Sequence, residues 1–87
     1  MSRDQYSTRE VGQLIGRSAG SVRRMIDRGT LDAHRLPGVG YRIPRAAVID
    51  LGKETLLDEA GAKLSDSAVA RLIDQVIEQN EAVETGR

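Results

Sequence analysis

Within residues 7–29 the chain uses the same punctuation twice: a hydroxyl residue, a short apolar stripe, then glycine. The first unit opens with Ser7-Thr8-Arg9-Glu10, a side-chain acceptor followed three residues later by a carboxylate, which is the pattern of a capping box. Tyr6 and Val11 flank it as a hydrophobic staple would. Val11, Leu14 and Ile15 share one helical face, and Gly16 can supply the positive φ that ends a helix over 8–15. The second unit begins at Ser18 as N-cap, sets Val22, Met25 and Ile26 on one stripe, and closes at Gly29. Only Arg17 lies between Gly16 and Ser18. Two short amphipathic helices joined by so tight a turn must share one core.

After Leu31 the period changes. Ala33-His34-Arg35-Leu36 and Tyr41-Arg42-Ile43, with Pro37-Gly38-Val39-Gly40 as the turn, predict a β-hairpin. Tyr41 and Ile43 share a face and Arg42 takes the other, while Arg35 and Arg42 are expected along one basic ribbon. Ile43 is pushed to an extended backbone by Pro44, after which a third helix over 44–51 covers the hairpin with Val48 and Leu51, Tyr41 packing the hairpin against it. Helix, turn, helix, hairpin, helix is a winged helix-turn-helix, mainly α with a small β-hairpin. The expected core is Val11, Leu14, Ile15, Val22, Met25, Ile26, Leu31, Ile43, Val48 and Leu51. The chain has no Phe or Trp, so a domain of this size is marginal unless something else packs on it.

Gly52 is expected to break the third helix, dividing the chain into a winged domain over 1–52 and an acidic C-terminal helical extension and tail over 53–87. Leu56 and Leu57 suggest one or two helical turns closed by Gly61. Ser65 then caps an amphipathic helix over 66–80, with Leu64 and Val69 as its staple. Its stripe, Val69, Leu72, Ile73, Val76 and Ile77, is too short for a sustained coiled coil. The stripe can fold back on the winged domain, self-associate or dock on a partner. Residues 78–87 read as a frayed tail.

Charge divides along the same line. Residues 1–50 hold nine arginines against five acids, a net +4, whereas residues 51–87 hold four bases against eight acids, a net −4. The first part suits an anionic partner and the second repels one. The absence of Cys and the single His argue against a disulfide framework or an ordinary metal site, and no cofactor is expected. No Ser/His/Asp or Cys/His set is available and no glycine-rich loop leads from a strand into a helix, so the chain reads as a binding protein and not an enzyme. A polar N-terminus and the lack of a long apolar run suggest a cytoplasmic chain with no membrane partner, and no small-molecule ligand is expected.

The second helix carries the sharpest functional signal. Opposite its apolar stripe stand Gly20 and Arg24, flanked by Ser21 and Arg23, with Ser18 at the start and Arg28 near the end. Small residues let a helix N-terminus approach a phosphate or a base edge, and arginines one turn later reach what lies beside it. The alternative is a solvated arginine face. On the hairpin, Arg35, Tyr41 and Arg42 are candidates for the same partner; His34, Arg9 and Arg45 are expected to be solvated.

YSTREVGQLIG, RSAGSVRRMIDRGTL and GVGYRIPRAAVIDL, in that order and spacing over residues 6–51, resemble the excisionase and MerR-like winged helix-turn-helix family. RSAGSVRR is especially similar to an excisionase recognition helix. The resemblance implies double-stranded DNA as partner, Ser21 and Arg24 against bases or phosphates in the major groove, and the hairpin across the minor groove. It also implies a phage integrase as a protein partner, bending and cooperative assembly on DNA, and a place at the nucleoid of a bacterial host. A small MerR-like regulator and a protein-interaction adaptor are the other readings. Gly20 and Asp27 replace a longer acidic side chain and a basic one, and the tip Gly38-Val39-Gly40 carries no cation.

Overall fold

The computed structural model describes residues 4–85, with side chains through residue 80. Its elements are β1 (Gln5–Tyr6), α1 (Thr8–Ile15), α2 (Ala19–Asp27), β2 (His34–Leu36), β3 (Gly40–Pro44), α3 (Arg45–Thr55) and α4 (Asp66–Thr85). This is a mainly helical winged helix-turn-helix with a small antiparallel sheet, as the sequence pattern predicts.

The tight turn between α1 and α2 is made by glycine chemistry. Ser7 and Glu10 form the reciprocal capping box: the Glu10 amide donates to Ser7 Oγ at 3.1 Å and the Ser7 amide to Glu10 Oε1 at 2.9 Å. At the other end Gly16 adopts φ 74° and the amides of Gly16 and Arg17 converge on the Gly12 carbonyl. Chain and helix approach so closely here that a Cβ on Gly12 would lie 2.4 Å from the Arg17 carbonyl oxygen. α2 begins with Ser18 Oγ accepting from the Ser21 amide at 3.1 Å. Gly29, at φ 80°, terminates it, and the Thr30 amide and hydroxyl both donate to the Met25 carbonyl.

The sheet has three strands, in the order β1-β3-β2, where the sequence suggested a two-stranded hairpin. β1 pairs Gln5 with Pro44 and Tyr6 with Ile43, which carries Tyr6 into the core at 2% exposure, beyond a staple's usual rim position. The hairpin turn is three residues, Pro37-Gly38-Val39, closed by the Val39 amide on the Leu36 carbonyl. Its register pairs His34 with Arg42, Arg35 with Tyr41 and Leu36 with Gly40. Facing residues share a side of the ribbon, so Arg35 and Arg42 stand on opposite faces, contrary to the expected single basic ribbon.

Gly52 does not break α3. The helix continues to Thr55, and Gly52 is buried because α4 crosses there: a Cβ on it would meet Val69 Cγ1 at 2.5 Å. Residues 56–63 form no helical turn either. Asp58 Oδ1 accepts from the Ala60 and Ala62 amides, each at 2.9 Å, and Leu57 bridges to Lys63, so a small side-chain-organised loop replaces the expected turns and leaves Leu57 exposed. Lys53 donates to Asp66 at 2.7 Å across this loop, and that hydrogen bond holds the lysine pKa above its ordinary value.

α4 folds back. It packs on α1 and α3, and its Val69, Ile73 and Ile77 join Tyr6, Val11, Val22, Leu31, Ile43, Val48 and Leu51 in one core. Leu14, Ile15, Met25 and Ile26, expected inside, are half-buried around that core. Asn80 on α4 donates to Gln13 on α1 at 2.8 Å. The helix runs to Thr85, past the point where a frayed tail was expected; residues 86 and 87 lie outside the described residues.

Candidate nucleic-acid interface

α2 is held by its inner stripe and displays the other side. Val22 is fully buried and Met25 and Ile26 half-buried, so Ser18, Gly20, Arg23, Arg24 and Arg28 are exposed and Ser21 half-buried. One edge of the helix is already organised. Ser21 Oγ accepts from the Ser18 hydroxyl at 3.2 Å and from Arg24 Nη2 at 3.4 Å, which draws the Arg24 guanidinium back along the first turn. Gly20 stands beside this string. A Cβ there would meet only Ser18 Oγ, at 3.8 Å, and the residue has no positive φ, so neither packing nor backbone geometry calls for glycine.

The wing meets α2 through Tyr41. Its hydroxyl donates to Asp27 Oδ1 at 3.2 Å, and Arg35, its cross-strand neighbour, places its guanidinium carbon 5.9 Å from the ring centroid. Tyr41 therefore faces the end of α2, and the expected packing against α3 falls instead to Ile43, fully buried on the next inward position of β3. Arg42 donates from Nη1 to the Tyr41 carbonyl at 3.4 Å. Ser7, Thr8, Arg23, Arg35, Tyr41 and Arg42 border one open hollow between the start of α1, α2 and the wing. The sequence reading gave Ser7 and Thr8 only a role at the start of α1 and Arg17 only a place in the turn, none of them a place at the site. Arg17 precedes an N-cap and is visible as a cation at a turn, whereas Ser7 and Thr8 reach the hollow only through the fold.

Among the described residues no carboxylate pairs with Arg9, Arg17, Arg23, Arg24, Arg28, Arg35 or Arg42. Arg45 differs from the solvated residue that was expected: it donates to the Tyr6 hydroxyl and, at 3.3 Å, to Asp74 of α4. Desolvation lowers its pKa, and the hydrogen bonds and charge of Tyr6 and Asp74 outweigh that, leaving it raised. Arg45 is thus a brace between sheet and α4. His34 is exposed opposite Arg42, and no group of three or more His, Asp or Glu among the described residues could hold a metal.

The apolar stripe of α4 is largely consumed inside the molecule. Val69, Ile73 and Ile77 are in the core, and Leu72 and Val76 are half-buried, because α1 and α3 otherwise leave one side of the small core open. No helix among the described residues is long and apolar enough to cross a membrane.

A displayed helix preceded by a tight glycine turn, a wing beside it, and a shared unneutralised arginine surface define a DNA-binding helix-turn-helix protein. The comparison with protein families gives the same class: the family model described as a helix-turn-helix domain matches residues 6–51, more than half of the 87-residue chain. The chain belongs to that family, which includes excisionase-like DNA-binding domains. No curated protein and no solved structure matches it.

Proposed function

We propose that the chain is an excisionase, a recombination directionality factor that binds specific sites, bends the DNA and assists a phage integrase in excising a prophage. Residues 1–52 supply the DNA surface, and within the extension over 53–87 Val69, Ile73 and Ile77 complete its core. Ser18, Gly20, Ser21, Arg23, Arg24 and Arg28 enter or flank the major groove, while Arg35, Tyr41 and Arg42 follow the backbone into the minor groove. Elements in adjacent grooves favour a bent duplex. The protein would act by binding alone, at the nucleoid in the cytoplasm of a bacterial host.

The observation that carries this reading is the set of unneutralised arginines on α2 and the wing, arranged around a helix N-terminus bare of bulk. A MerR-like regulator would need the α4 stripe free to dimerise, and Val69, Ile73 and Ile77 are inside. An integrase would likewise have to use another surface of the chain.

Mobility shift on DNA from the region flanking the gene, at rising protein and salt, tests the proposal. Cooperative, bent, salt-sensitive complexes on short repeats, enhanced by the integrase encoded alongside, are the expected result. A single complex on a promoter palindrome would replace the excisionase with a regulator. No specific complex at low salt would leave only the adaptor.

A further inference from the structure

Asp27 is out of place in a surface built for a polyanion. It is exposed, it stands in the last turn of α2, where a negative charge opposes the helix dipole, and it shares that helix with Arg23, Arg24 and Arg28. Phosphates nearby would be repelled by it. What the carboxylate does in the fold is accept the Tyr41 hydroxyl at 3.2 Å, a charge-assisted hydrogen bond that spans 14 residues of sequence and joins the recognition helix to the wing. Arg35 completes the set from the far strand, its guanidinium over the Tyr41 ring at 5.9 Å.

The wing has few other means of keeping its angle to α2. β2 is the edge strand of the sheet and its three residues are all exposed, and β3 buries only Ile43 fully. Tyr41 is the residue of the wing with a side-chain hydrogen bond to α2 among the described residues. We propose that Asp27, Tyr41 and Arg35 form a latch that fixes the wing relative to the recognition helix, and that this fixed spacing selects DNA sites. Tyr41 is then a positioning residue. A protein whose two reading elements are rigidly phased discriminates among duplexes by groove width and helical phase, and a loose wing finds phosphate on any sequence. The inference rests on the DNA-binding reading for its consequence, though the latch itself is a property of the free protein.

The test uses the full chain and two probes: a duplex selected by the wild-type protein from a randomised pool, and an unrelated duplex of equal length. Tyr41→Phe keeps the ring under Arg35 and removes only the hydroxyl. It is expected to lower the ratio of selected to unrelated affinity about tenfold, the larger loss falling on the selected duplex. Asp27→Asn retains an acceptor oxygen and should keep the ratio, although loss of a negative charge strengthens binding to both duplexes; Asp27→Ala should lower the ratio as Tyr41→Phe does. The Tyr41→Phe/Asp27→Ala double variant should show no greater loss of ratio than Asp27→Ala alone. Backbone 15N relaxation of residues 34–44 in the free protein should show the wing gaining amplitude in Tyr41→Phe and in Asp27→Ala but not in Asp27→Asn. An unchanged wing in Tyr41→Phe, or an equal loss of affinity on both duplexes, overturns the latch. Failure of the wild-type protein to select any duplex overturns the DNA-binding reading instead, and the relaxation measurement still decides the latch.

Discussion

Gly20 lies where the fold has no use for a glycine, and replacing it separates stability from binding. An alanine methyl at this position meets only Ser18 Oγ, at 3.8 Å, an ordinary contact, and the backbone there is already helical. Alanine lowers the conformational entropy of the unfolded chain and favours the helix, worth about 0.4–1 kcal/mol. For a domain of this size that corresponds to a rise in Tm of about 2–6 °C. The same methyl projects from the exposed first turn of α2, beside Ser21 and the Arg24 guanidinium that Ser21 holds. If the helix N-terminus seats against a base edge or phosphate, the methyl separates them, and specific affinity falls about tenfold or more, a loss of at least about 1.4 kcal/mol. Thermal unfolding followed by circular dichroism gives the first quantity, and fluorescence anisotropy on a selected duplex gives the second. A Gly20→Ala protein that is more stable and binds as tightly as wild type would refute the close approach of α2. One that is less stable would refute the claim that the fold leaves this position free.

Two other glycines predict the opposite. Gly12→Ala, with its Cβ 2.4 Å from the Arg17 carbonyl oxygen, and Gly52→Ala, 2.5 Å from Val69 Cγ1, should each lower stability by about 1–3 kcal/mol in urea unfolding, Gly12 the more because backbone has to give way. Ile73→Ala, at a position 2% exposed, should cost about 2–5 kcal/mol and leave little folded protein at 37 °C, whereas an unchanged Tm would show that α4 does not belong to the core. Arg24→Ala should cost about 1–3 kcal/mol of specific affinity with unfolding unchanged; retention of full affinity would favour an adaptor.

Local signals carried the sequence reading and non-local ones were missed. Ser7 with Glu10, Gly16, Ser18 and Gly29 act within one helical turn of themselves, so α1, α2 and the turn between them could be read directly. β1 is two residues long and exists only because β3 returns beside it, some 38 residues later, with no local pattern to mark it. Gly52 was read as a breaker from its propensity, but the close crossing of Val69 makes a glycine there a requirement of helix packing, and the helix runs through it. At the candidate interface the exposed arginines of α2 were legible from the stripe they oppose. The relation of Arg35 to Arg42 was not, because the hairpin closes at Gly40, one residue earlier than a four-residue turn implies, and the register then sets Arg35 opposite Tyr41 and not Arg42. The pairing of Tyr41 with Asp27 was not legible either, since no sequence period connects residues 14 apart on a helix and a strand.

The separation of +4 and −4 between the two parts of the chain has a consequence for how it travels to DNA. α2, which with its C-cap residue carries three of the arginines, and α4, which carries several of the acids, both pack on α1 in a chain whose formal net charge is zero. Such a body is a dipole with no monopole. In the field of a polyanion it feels a torque before it feels a pull, and in the proposed mode of binding that torque would turn α2 and the wing toward the duplex. Beyond about 10 Å at ordinary ionic strength even that is screened, so a chain of zero net charge would gather weakly on bulk DNA and be oriented only at close range.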